Sequence, residues 1–324
     1  MEKHFPYLLV LLFSLASVFY SCKKDSSGSG GGASVLSHVT SYKMFQDTSL
    51  YESWVNTYTG NLLTETMSKV NYNGSILHFK TNIEYNANRV SGIYSYDSTG
   101  TGWIKGYDVV VTSWSAEGLP AEIINTFYEA SGDIHQQNIT QFTYSGIQVT
   151  EKKQTNYWQG ALALYQRTEY TYNQDARLVK EETFTQDSSL YSMVDITWQN
   201  NLVMQEHCSM PTVFINYKTV YTYSAGKLIN TTQYDDDTPT VPDVIIDYSY
   251  DQNGCLVSEK NTIASTGEYN LWQYTYEPGQ GNIRQVFEIG NAYETWNGNP
   301  DPYPSNPGKA KSKPLARDEI HLYY

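Results

Sequence analysis

An aromatic residue returns every 25 to 30 positions along most of this chain, always just ahead of a turn-forming stretch, and no other feature restricts the fold so strongly. The anchors are Tyr58, Tyr85, Trp114, Tyr144, Tyr172, Trp198, Tyr223, Tyr250 and Tyr276, with successive separations of 27, 29, 30, 28, 26, 25, 27 and 26. Seven of the nine carry an apolar residue two positions earlier: Ile83, Phe142, Tyr170, Ile196, Tyr221, Tyr248 and Tyr274. Asn56 and Thr112 are the exceptions. A spacing of two places both side chains on one face of a strand. Each anchor is followed within a few residues by an aliphatic: Leu62, Val90, Leu119, Ile147, Leu178, Leu202, Leu228, Leu256 or Ile283. Between them lie residues that tolerate positive φ, such as Gly60-Asn61, Asn200-Asn201, Ala225-Gly226 and Asn253-Gly254. The stretch from Tyr165 to Phe184, YQRTEYTYNQDARLVKEETF, shows one whole unit. Each unit reads as a β-hairpin, and a period near 27 holds two strands of about ten residues and two turns.

The expected fold is therefore all-β, an antiparallel meander of about 16–20 strands, curled or barrel-like. No helical periodicity of useful length competes with it in the segment after the N-terminus. Asn253-Gly254 is expected to form a two-residue hairpin with both residues at positive φ. Cys208 and Cys255 fall on the second strands of hairpins two units apart, which is four strands in a sequential meander. At about 4.8 Å per strand they stand roughly 19 Å apart, beyond the reach of a disulfide, so both are expected as free thiols.

Composition fits a half-buried sheet. Tyrosine occurs 30 times against 10 phenylalanines, and a tyrosine packs its ring while its hydroxyl reaches water or a partner. The net charge of −13 argues against a nucleic-acid partner, because phosphate binding needs a basic field. Asp235-Asp236-Asp237 reads as a solvated turn, since the alternation and fixed glycine of a calcium loop are missing around it.

The chain divides into four parts. Residues 1–21 read as a signal peptide: Lys3 supplies the positive charge, and Leu8 to Phe19 an apolar stretch too short for an ordinary membrane span. The run Phe19-Tyr20-Ser21-Cys22 followed by Lys23-Lys24-Asp25 resembles a bacterial lipoprotein signal, specifically those of the Bacteroidota, and implies lipidation of Cys22. Residues 22–34 include the Gly/Ser tether SSGSGGGAS, residues 35–298 the repeat domain, and residues 299–324 a Pro-rich, basic tail with Lys309, Lys311 and Lys313. The tyrosine–turn–leucine pattern behind such an N-terminus, from about Trp54 to Phe287, resembles Bacteroidota lipoproteins carrying a domain of unknown function with a porin-like fold. It is similar, more distantly, to the YD-repeat segments of RHS-type proteins. Trp114 and Trp198 stand where the pattern has tyrosine, and Asp175-Ala176-Arg177 where it has a glycine turn. The resemblance implies a curled antiparallel meander and no established activity.

No catalytic constellation emerges. His4, His38, His78, His135, His207 and His321 show no metal-ligand spacing, and His207 and Cys208, as strand neighbours, point to opposite faces. Phosphate-loop, dinucleotide and nucleophile-elbow motifs do not occur, so no catalytic, cofactor or metal residue is assigned. Glu151, Glu181 and Glu182 beside Lys152, Lys153 and Lys180 read as a solvated, salt-bridged surface. The expected protein is a non-enzymatic lipoprotein of the outer membrane, at the cell surface or on the periplasmic face, serving as a binding or scaffold module. Its partners would be the membrane, through the lipid, and an extracellular glycan or protein. Trp103, Trp114, Trp158, Trp198, Trp272 and Trp296 are the candidates for stacking on sugar rings. The alternatives are an outer-membrane pore and a glycan-active enzyme. A lipid-facing barrel needs an uncharged outer band, which mid-strand tyrosines and charge pairs such as Glu181-Glu182 do not provide.

Overall fold

The structure is a computed structural model that describes residues 37–278, apart from 47, 73, 100, 212–214 and 253–254. Cys22, the signal and tether segments, Trp296, Ile283 and the tail lie outside the described residues. Eighteen strands follow one another: β1 (Ser37–Gln46), β2 (Ser49–Thr59), β3 (Leu62–Tyr72), β4 (Ser75–Asn86), β5 (Arg89–Ser98), β6 (Trp103–Trp114), β7 (Pro120–Tyr128), β8 (Ile134–Ser145) and β9 (Gln148–Trp158), then β10 (Ala161–Tyr172), β11 (Leu178–Thr185), β12 (Leu190–Gln199), β13 (Leu202–Met210), β14 (Ile215–Ser224), β15 (Lys227–Asp235), β16 (Pro242–Tyr250), β17 (Leu256–Ile263) and β18 (Tyr269–Pro278). Each pairs antiparallel with its sequence neighbours, and β1 pairs with both β2 and β18, so the meander closes into a barrel. Closure leaves no strand edge among these elements, which removes the template for edge-to-edge association. The described residues contain no helix.

The anchors work as the period demands. Each of the first eight ends an even-numbered strand and pairs with an aliphatic or proline five or six residues on: Tyr58 with Leu63, Tyr85 with Val90, Trp114 with Pro120, Tyr144 with Val149. Tyr172 pairs with Leu178, Trp198 with Val203, Tyr223 with Leu228 and Tyr250 with Leu256. The register shifts by a β-bulge immediately before every one of these pairs. A bulge adds a residue to one strand and sharpens the local twist, so eight of them at one end of the sheet help it coil shut. The bulge also corrects four expected partners, that of Trp114 being Pro120 in place of Leu119. Leu63, Val149 and Val203 are the buried residues opposite their anchors, in place of Leu62, Ile147 and Leu202.

Anchors also tie one unit to the next. The Tyr85 hydroxyl donates to the Leu63 carbonyl at 2.6 Å, Tyr144 to Pro120 at 2.6 Å, Tyr172 to Val149 at 2.9 Å and Tyr250 to Leu228 at 2.8 Å. Each acceptor is the residue paired with the preceding anchor. Trp198 continues the series, its indole N–H donating to the Leu178 carbonyl at 2.7 Å. The tryptophan therefore replaces tyrosine without breaking the ladder. We call this the turn end of the barrel. A cluster of buried aliphatic and aromatic side chains fills the interior behind it, including Leu63, Val90, Ile123, Val149, Leu178, Tyr221 and Leu256.

The turns are of two kinds. Ala87-Asn88, Asn200-Asn201 and Ala225-Gly226 make two-residue connections with both residues at positive φ. After Trp114, Tyr172 and Tyr250 the connections are longer. There Ser115, Asn173 and Asp251 accept backbone N–H bonds four residues on, from Leu119, Arg177 and Cys255. Ala176 takes the positive φ where a glycine turn was missing. The Tyr250–Leu256 connection is thus longer than the two-residue hairpin expected; its Asn253 and Gly254 lie outside the described residues.

Cys208 is a free, buried thiol on the inner face of β13, and burial pushes its pKa up to about 11. His207 beside it faces outward, with Nε2 2.8 Å from Asp236. Cys255 departs from expectation, because it is disulfide-bonded. Strand separation excludes Cys208 as its partner, as expected.

Candidate functional site

Two inner walls stand on different sides of the ring, one on β7–β9 and one on β17–β2. On the first, strand alternation turns Asn125 of β7, Asn138 of β8 and Asn156 of β9 inward as one cross-strand row. The next row toward the turn end holds Thr140, Gln154 and Gln166, and the one after it Lys152, Thr168, Thr183 and Ser192. All are buried except Thr183. Toward the far end, Gln136 pairs with Trp158 across β8 and β9. Asn138 Oδ1 accepts from Gln136 Nε2 at 3.2 Å and also from Asn156 Nδ2. Asn138 Nδ2, Asn156 Oδ1 and both amide atoms of Asn125 are buried with no hydrogen-bond partner, and Asn125 is 0 % exposed. An unmet buried amide is costly, so a cluster of four such atoms is a feature to be explained.

On the second wall, Glu259 of β17, Trp272 of β18, Met44 of β1 and Glu52 of β2 form one row. One row nearer the turn end lie Tyr274, Tyr42 and Trp54, with Tyr42 and Trp54 stacked at a centroid separation of 5.3 Å. The Trp54 indole N–H donates to Glu52 Oε1, while Glu52 Oε2 has no partner. Burial with no cation to offset it holds the Glu52 carboxyl well above the usual carboxylate range. Burial raises Tyr42 likewise, with Glu52 and Tyr274 adding to the effect. Glycoside hydrolysis needs two carboxyl groups about 5–9.5 Å apart. Glu52 and Glu259 are three strands apart, about 14 Å along the sheet. Along the sheet the two carboxyl groups thus stand farther apart than a glycosidase pair requires.

The outer face carries charge at mid-strand. Lys80 meets Glu65 at 2.9 Å, Lys153 meets Glu151 at 2.9 Å, Arg167 meets Glu169 at 3.1 Å, and Lys180 meets Glu182 at 2.7 Å. The expected solvated surface at residues 151–153 and 180–182 therefore needs one correction. Lys152 and Glu181 stand on inner-face positions, Lys152 buried, because successive strand residues alternate faces.

Of the candidate tryptophans, Trp272 is core, and Trp114 and Trp198 are half-buried under Arg89 and Arg177. Trp103 and Trp158 are exposed at the far end, but only Trp158 shares the inner face of the amide row. Its ring is held edge-on by His135 at 3.9 Å. The row itself was missed in the sequence. The available signal was that 136, 138 and 140, like 152, 154 and 156, are polar on strands whose other face is polar too.

No protein-family model matches the chain, and no curated protein matches it. Solved structures similar to it include a porin-like protein from Bacteroides uniformis, at 11% identity and a TM-score of 0.42, covering 74% of this chain and 98% of that one. A second porin-like protein, from Bacteroides vulgatus, gives 10% identity and a TM-score of 0.39, with coverage of 74% and 98%. The Tc holotoxin pore of Photorhabdus luminescens gives 13% identity and a TM-score of 0.25, covering 75% of this chain and 18% of that one.

Proposed function

We propose that this chain is a non-enzymatic binding module of the cell envelope, whose barrel stands in water. The carrying observation is the outer face. Arg167 and Glu169 sit in the middle of β10, and Glu65 and Lys80 in the body of β3 and β4. At the midplane of a bilayer a basic side chain on the lipid face costs about 2–4 kcal/mol, so these residues disfavour a lipid-embedded pore. Both β1 and β18 meet the outside at the turn end, since Ser37 pairs with Pro278. The chain therefore enters and leaves the barrel at that end, opposite Trp158.

Fractionation tests this reading. A chain begun at Val35 is expected in the soluble fraction, monodisperse without detergent. Aggregation of the shortened chain unless detergent is present would contradict it.

A further inference from the structure

We propose that the far end of the barrel is a docking surface for a protein partner whose contacting face is basic and carries apolar side chains. This deepens the binding-module reading and rests on it. Among the described residues, every exposed large apolar side chain except Val55 and Ile229 lies in a far-end connection or within three residues of one. The densest part is an arc of neighbouring strands, with Trp103 on β6, Ile134 on β8, Trp158 on β9 and Leu162 on β10. Tyr128 of β7, paired with Ile134, continues the arc between β6 and β8. Apolar side chains scattered singly over a surface need no explanation, but a set gathered at one end of a barrel marks a contact surface. Trp103 and Trp158, 43 % and 42 % exposed, are the large rigid side chains that anchor such contacts.

Charge identifies the chemistry of the partner. Between or directly beside the strand ends at the far end, the sequence has no lysine or arginine. It has instead the exposed acids Glu129, Asp133, Asp187, Asp236, Asp237 and Glu268. Two histidines approach them, His135 at 3.2 Å from Glu129 and His207 at 2.8 Å from Asp236. At the turn end, by contrast, Glu117, Asp175 and Asp251 are matched in number by Arg89, Arg177 and Lys227. The far end is thus apolar and acidic together, and its complement is apolar and basic. A second copy docked end to end would set like charges against each other. A lipid surface fits less well, because elements that lie in the headgroup layer carry lysine and arginine on their polar face, and here the acids would enter first.

The test is a calorimetric titration of the full chain with three short synthetic peptides. One is an amphipathic peptide of leucine and lysine; in the second serine replaces leucine at equal charge, and in the third glutamate replaces lysine. The leucine–lysine peptide is expected to bind about tenfold or more tighter than either control. Its affinity should fall by about tenfold or more when Trp158→Ser is combined with Leu162→Ser, and again when Glu129→Gln, Asp237→Asn and Glu268→Gln are combined. The same kinds of change away from the far end should leave it unaltered: Val55→Ser with Ile229→Ser, and Glu169→Gln, Asp175→Asn and Asp247→Asn together. Every side chain changed is exposed, so each variant is expected to keep the fold, as its melting curve checks. No binding, equal binding of the serine–lysine peptide, or equal loss in the control variants would overturn the proposal. So would self-association in sedimentation, or co-sedimentation with phosphatidylcholine or phosphatidylglycerol vesicles, that the Trp158 and Leu162 variant loses, since a second copy or a lipid surface would then occupy this end. These outcomes leave the water-exposed barrel standing, whereas detergent dependence of the shortened chain would remove that reading.

Discussion

The two inner walls hold the same barrel together by opposite means. Between β17 and β2, rings pack on rings: Tyr42 lies against Trp54 and Tyr274, and Trp272 is buried beside Met44. Between β7 and β10 the equivalent positions hold asparagine, glutamine and threonine, and part of their hydrogen-bonding capacity is unmet. Apolar burial stabilises in proportion to area, while a buried amide stabilises only when paired. The difference teaches that one wall is packed by ring area and the other lined by amides, while each keeps a buried polar group unmet, Glu52 Oε2 on the one and the Asn125 amide on the other.

Substitutions can break that contrast. The largest expected effect is at the aromatic wall, where Trp272→Ala should cost about 3–5 kcal/mol by lost packing and cavity formation. Chemical denaturation would read it, and a cost no larger than that of an exposed residue would place Trp272 outside the core. Asn125→Leu, on the other wall, should move in the opposite direction. If both substitutions destabilise alike, the two walls are not different in kind.

Glu52 sharpens the comparison through pH. Its folded pKa is raised by burial. Below the ordinary carboxylate range both folded and unfolded chains carry it protonated, and it costs nothing. As pH rises the unfolded chain ionises first, so stability falls by up to about 1.4 kcal/mol per pH unit until the folded pKa is reached. Glu52→Gln should therefore match the parent near pH 4 and melt higher at pH 8. An equal difference at both pH values would show that Glu52 does not titrate abnormally.

A smaller effect belongs to the ladder shared by both sides. Tyr250→Phe removes one hydroxyl-to-carbonyl bond to Leu228 and should cost about 0.5–1.5 kcal/mol, with Tyr144→Phe similar despite its different neighbours. A loss confined to one of them would mean that the units are not equivalent.

Much of this was legible in the residues. Anchor spacing gave the hairpins, their order and their turns at Asn200-Asn201 and Ala225-Gly226, and alternation placed His207 and Cys208 on opposite faces. Bulge positions were not legible, because Leu62 and Leu63 are equally apolar and only a backbone offset decides which one faces Tyr58. Closure was not legible either. It depends on twist summed over eighteen strands and on β1 meeting β18 from the other end of the domain. The amide row forms no motif, since residues 125, 138 and 156 are brought together only by strand register.

The central claim is that the meander closes, and the seam between β1 and β18 tests it most directly. Lys43 and Gln273 are exposed and directly opposite across that seam. Cysteines introduced at both should lie within bridging distance and form a disulfide quantitatively under mild oxidation, detected by mass after tryptic digestion. A Lys43→Cys, Thr222→Cys pair, which the ring order keeps apart, should not. Near-complete bridging of the seam pair alone is the predicted result; a seam pair that bridges no faster than the distant pair would mean that the barrel is open.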